Sequence, residues 1–107
     1  MININDEIWN IMEVPPGHPM LQRSDGSYSE GVCDDKRKTI FINNQLSNRM
    51  FKKVLCHELT HAAIFSYNVN LSIEEEEVLA DIIATYGEEI ISITNSLFER
   101  LRKERYY

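Results

Sequence analysis

Apolar positions follow two different rhythms along the chain. Beyond Ser47 they recur every three or four residues: Met50, Phe51, Val54, Leu55, Leu59, Ala62, Ile64 and Phe65 form a helical set. This spacing predicts a helix from Asn48 to about Tyr67, with Ser47 as its N-cap. Asn68–Leu71 reads as a short linker. Ser72 and Glu75 then make the Ser-x-x-Glu pattern of a capping box, opening a second helix from Ile73. Val78, Leu79, Ile82, Ile83 and Tyr86 supply its stripe. Ile90, Ile91, Ile93, Leu97, Phe98 and Leu101 continue the period past Gly87, where the helix could kink or break.

The first half is shorter-ranged. Ile2–Val14 fits both a helical stripe (Ile4, Ile8, Ile11, Met12) and an imperfect alternation (Ile8, Asn10, Met12, Val14), so the pattern alone leaves its type open. Pro15-Pro16-Gly17 ends it, and Asp25-Gly26 marks a turn. Ser27–Cys33 and Lys38–Asn43 read as strands, the second β-branched and aromatic at Thr39-Ile40-Phe41-Ile42. Asp34–Arg37 joins them at hairpin length. Gly31 permits a bulge or the close approach of another backbone. Strands first and helices after predict an α+β fold.

Composition narrows the function. At 107 residues with 43% hydrophobic content the chain makes one domain, residues 1–107. A net charge of −6 argues against a nucleic-acid binder. The basic stretch Arg100, Arg102, Lys103 and Arg105 is short and reads as a dipole-favoured helix end. There is no run of 18 apolar residues to span a membrane. Met1–Asn10 carries Asp6 and Glu7 and no Lys or Arg, unlike a signal peptide, and two cysteines fit reduced thiols, so a cytoplasmic protein is expected. Cys33 and Cys56 are too few for a four-cysteine zinc site and read as inert thiols, and Trp9 reads as core.

The chemistry concentrates at His57-Glu58-Leu59-Thr60-His61. On a helix, histidines at i and i+4 share one face and can point at one metal ion. Glu58 projects about 100° further round, beside the metal, where it can take a proton from water. Apolar neighbours Val54, Ile64 and Phe65 make unpartnered histidines on this surface costly. A catalytic zinc ion wants a third protein ligand. A short connection sets the two helices antiparallel, so the glutamates of Glu74–Glu77 come beside the histidines. Glu77, a turn inside the helix, is the expected ligand, with Glu76 the alternative. Asp81, one turn on, is placed to accept the hydrogen bond of a ligand histidine's other nitrogen. Ala80 and Ala84 are small enough for close helix approach. Tyr67, Tyr86 and His18 are types that can polarise a substrate carbonyl opposite Glu58, but each reads as structural and none is assigned that role.

His57-Glu58-Leu59-Thr60-His61 followed by Glu77-x-x-x-Asp81 resembles the gluzincin arrangement of thermolysin-like peptidases. Gly31-Val32-Cys33-Asp34, Lys38–Ile42, Leu46 and Tyr86-Gly87-Glu88-Glu89-Ile90 extend the likeness. Over about Glu7–Ile91 the chain resembles small, often phage- or prophage-encoded ImmA/IrrE-type zinc metallopeptidases. The resemblance implies a strand at Glu7–Val14 and a minimal zincin core: a small twisted sheet, an active-site helix and a glutamate helix. It also implies an extended protein or peptide substrate along a sheet edge, at Lys38–Asn43 or Ser27–Cys33, with a helix-turn-helix repressor as a family-derived candidate. Two other classes are carried with it: a zinc-binding regulatory module with little turnover, and a partner protein whose helix Glu88–Tyr107 pairs through Ile91, Leu97, Phe98 and Leu101.

Overall fold

The computed structural model describes residues 1–106, with side chains as far as Lys103; the side chain of Arg105 lies outside the described residues. Four strands, β1 (Ile2–Ile4), β2 (Glu7–Val14), β3 (Gly31–Asp34) and β4 (Thr39–Asn43), precede two helices, α1 (Asn48–Ser66) and α2 (Ile73–Tyr106). The fold is α+β, as the order of patterns predicts. The sheet runs β1-β2-β4-β3, with β2 and β4 parallel and the outer pairs antiparallel.

Ile2–Val14 is not one element but a hairpin. Asn5 and Asp6 both take positive φ, 50° and 66°, which is the conformation a two-residue turn between twisted strands requires. Asn and Asp tolerate it without glycine, so the turn carries no conspicuous sequence signal. The hairpin is tied to the end of α1: Trp9 Nε1 donates to Ser66 Oγ at 2.8 Å, and Asn5 Nδ2 donates to the Ser66 carbonyl at 2.9 Å.

The strand expected from Ser27 begins only at Gly31. Residues before it bridge back to Gln22 through Tyr28, around the Asp25-Gly26 turn. β4 is central, and every residue in it is buried. Its two faces serve two apolar clusters. Ile40 and Ile42 meet Trp9 and Ala62 beneath α1, while Phe41 packs with Val14 and Leu21 under the single 3-10 turn Pro19–Leu21. A strand covered on both faces reads as a continuous apolar run rather than an alternation.

α1 begins at the expected cap, with Ser47 Oγ accepting from the Met50 amide. It ends in a Schellman motif. Asn68 sits at φ 53°, its amide donates to the Phe65 carbonyl, and the Val69 amide donates to the Ile64 carbonyl. The capping box of α2 is formed in both directions between Ser72 and Glu75. α2 then continues unbroken through Gly87 for 34 residues. Contacts between positions 61 and 76, 57 and 81, and 52 and 88 run in opposite senses, so the helices are antiparallel. Ala80 is fully buried where they meet, and Ala84 is half-buried.

Candidate metal centre

Three elements build the site. α1 presents His57, Glu58 and His61, the first turns of α2 present Glu76, Glu77 and Asp81, and β3 closes one side with Gly31, Val32 and Cys33. One ligand atom each from His57, His61 and Glu77 falls within 4.8 Å of the others, a group that could hold a metal ion. The two Nε2 atoms are 3.1 Å apart. Glu77 places one carboxylate oxygen 2.9 Å from His61 Nε2 and the other 3.4 Å from His57 Nε2.

The far side of each ring is equally specific. His57 Nδ1 lies 3.0 Å from Asp81, and His61 Nδ1 lies 2.6 Å from Glu76. A ring that donates its Nδ1 proton to a carboxylate keeps a bare lone pair on Nε2. With both rings in that tautomer, two lone pairs and the Glu77 carboxylate converge on one point. The residues present therefore fit a metal ion and could hold one, and two imidazoles with one carboxylate form a donor set that suits zinc. Sequence reasoning anticipated Asp81 behind a histidine. It left Glu76 as the rival for the third ligand, whereas the fold turns Glu76 to the outer nitrogen of His61 and Glu77 to the inner face. Glu76, its side chain 16% exposed, is the more enclosed of the two supporting carboxylates, Asp81 being 70% exposed.

Glu58 points away from the histidine face toward β3. Gly31 passes so close that a Cβ there would stand 3.1 Å from Glu58 Cγ and 2.6 Å from Val54 Cγ1. The glycine is thus explained by close approach. Glu58 is buried, and its Oε2 has no hydrogen-bond partner within the protein. Burial raises its carboxyl above the usual carboxylate range; His61 and His57 oppose the shift, and the Glu77 charge adds to it. Cys33, in the same cleft, has its thiol driven strongly upward by burial and then by the Glu58 charge, so it is not a thiolate nucleophile.

The cleft over these groups has a volume of about 420 Å³. A larger groove, about 610 Å³, lies between the first half of α1 and the middle of α2, lined in part by Lys52, Cys56 and Glu88 and by neither histidine of the site. Of Tyr67, Tyr86 and His18, none lines the site. His18 caps the 3-10 turn, its Nδ1 accepting from the Met20 amide, and stacks near Phe41. Tyr67 and Tyr86 are exposed elsewhere. Arg23 instead lines the cleft, and Lys53 joins it in the adjoining space beside His57, Glu58 and Asp81. Nothing in the sequence pattern marks Arg23, since it is a lone arginine before a turn. Lys38–Asn43 is also excluded as a substrate-binding edge, because β4 is paired on both sides. β3 is an edge strand, as β1 is at the far side of the sheet, and it carries the cleft wall.

A family model described as the IrrE N-terminal-like domain, of the peptidase class, matches residues 12–91. The chain belongs to the IrrE N-terminal-like peptidase family. No curated protein and no solved structure gives a significant match. The family match takes in β3, α1 and the part of α2 that carries Glu76, Glu77 and Asp81. It also stops at residue 91, leaving most of the second half of α2 outside it. Among the described residues no helix is long and apolar enough to cross a membrane.

Proposed function

We propose that the chain is a zinc-dependent metallo-endopeptidase, with His57, His61 and Glu77 holding the zinc ion and Glu58 acting as general base. The observation that carries this reading is the pairing of three converging acceptors with a buried, unpartnered Glu58 Oε2 next to them. Zinc bound by such a set supplies Lewis acidity, lowering the pKa of water toward about 7 and polarising a carbonyl.

The remaining work belongs to the chain's own groups. Glu58 accepts a proton at Oε2 from the attacking water and returns it to the leaving amine. Its raised pKa suits both halves of that transfer, since a base that is too weak would not take the proton and one that is too strong would not return it. Asp81 and Glu76 hold the two rings in the tautomer that leaves Nε2 free. Arg23 supplies positive charge to the cleft wall. The substrate is a protein or peptide segment extended along the free edge of β3, read through its backbone. A helix-turn-helix repressor is the candidate that the likeness to ImmA/IrrE-type peptidases brings. The shallow cleft and half-exposed Glu77 also support a second reading, a zinc-binding module with little turnover.

Mass spectrometry of unfolded and helix-turn-helix proteins incubated with wild type, Glu58→Gln and chelator-treated protein separates the two. Cleavage by wild type alone supports the peptidase. Equal cleavage by Glu58→Gln would remove Glu58 from the mechanism, and none with any sample would favour the module.

A further inference from the structure

The metal centre uses only the first turns of α2. From Glu88 to Lys103 every side chain is exposed, yet Ile90, Ile91, Ile93, Leu97, Phe98 and Leu101 are large and apolar. At 100° per residue Ile90, Leu97 and Leu101 fall within about 40° of one another, flanked by the other three, so they form one face. The helix leaves the body to present it. The molecule measures 60 × 31 × 28 Å, and its radius of gyration is 16.7 Å. A compact chain of this length would have about 13 Å.

We propose that this half of α2 is a self-association surface, pairing antiparallel with the same segment of a second copy of the chain. Three features select that occupant. The first is area. Each of the six residues exposes about half of a side chain of the order of 200 Å², roughly 600 Å² per copy, and a standard interface buries about 800 Å² per partner with its polar rim.

The second is charge. The segment is acidic at its start, with Glu88 (paired with Lys52) and Glu89, and net basic toward its end, where Arg100, Arg102 and Lys103 outnumber Glu99, the intrahelical partner of Arg102. A parallel pair would stack like on like; an antiparallel pair sets acid against base at both ends. The third is register. Antiparallel pairing centred between Asn95 and Ser96 brings Glu88 to Lys103, Glu89 to Arg102, Ile90 to Leu101 and Ile93 to Phe98, apolar against apolar and acid against base in a single alignment. That is the self-complementarity a twofold interface demands. Nothing in this surface draws on the metal centre, so the two proposals fail separately.

Sedimentation of the full chain over roughly 1–100 µM tests the proposal. It predicts a dimer of twice the 12.5 kDa chain mass. Leu97→Glu with Leu101→Glu alters exposed side chains, so fold and zinc content stay as in wild type while the dimer dissociation constant rises at least about tenfold. Glu89→Lys weakens the dimer roughly three- to tenfold, and adding Arg102→Glu to the same chain restores it. A monomer at every concentration overturns the proposal. So does a dimer indifferent to the Leu97/Leu101 change, and a charge swap that fails to recover overturns the antiparallel arrangement.

Discussion

Replacing Gly31 by alanine tests the seam between β3 and α1 that positions Glu58. The added Cβ would stand 2.6 Å from Val54 Cγ1, where carbon atoms pack best at about 3.5–4.0 Å, so something must retreat by about 1 Å. Val54 has little freedom, because a β-branched side chain in a helix keeps one rotamer. Glu58, only 6% exposed, has little room either. Overpacking of this kind costs about 1–3 kcal/mol, a melting-point loss of roughly 5–15 °C for a domain this size. Thermal and urea unfolding followed by circular dichroism measure it. Val54→Ala removes the nearer obstacle, so the double variant should be less destabilised than the sum of the singles by at least about 1 kcal/mol. The Cγ of Glu58 stays 3.1 Å from the new methyl in both, so the clash with Val54 is relieved in the double variant while Glu58-dependent cleavage is not restored. A Gly31→Ala loss below about 0.5 kcal/mol, or strictly additive variants, would refute the close-approach account.

Further expectations concern the supporting shell and the helix. Asp81→Asn and Glu76→Gln should each weaken zinc by roughly 10–100-fold in a chelator competition, with Glu76 the costlier because it is more enclosed. Complete loss of metal in Glu76→Gln with retention in Glu77→Gln would instead make Glu76 the ligand. Gly87→Ala should stabilise the protein by about 0.4–1 kcal/mol, since the new methyl meets only Ile83 at ordinary contact distance; a lower melting temperature would contradict a continuous α2. At pH 8 a thiol alkylating reagent should spare Cys33 in the folded protein and modify it on unfolding, as its raised pKa requires; labelling of native Cys33 at the rate of a free thiol would count against its burial beside Glu58.

Where local chemistry settles the geometry, the sequence was sufficient. Ser47 and the Ser72–Glu75 box mark the helix starts because caps are made by nearby residues. The i, i+4 histidines share a face because a helix puts them there. Asp81 could be placed by the same turn counting. The elements that escaped depend on longer-range pairing or on backbone conformations without a glycine signature. β1 is a strand only because Ile2 finds Trp9 across an Asn-Asp turn. The division between Glu76 and Glu77 rests on how α2 is rotated against α1, an angle that no single-helix pattern contains. Arg23 reaches the cleft only through the loop that brings residues 22 and 28 together.

Elemental analysis of protein purified without added metal tests the central claim most directly. The account predicts about one zinc per wild-type chain, retained in Glu58→Gln and Glu74→Ala, and lost in His57→Ala, His61→Ala and Glu77→Ala. Full zinc occupancy in Glu77→Ala, or none in folded wild type supplied with zinc, would contradict it.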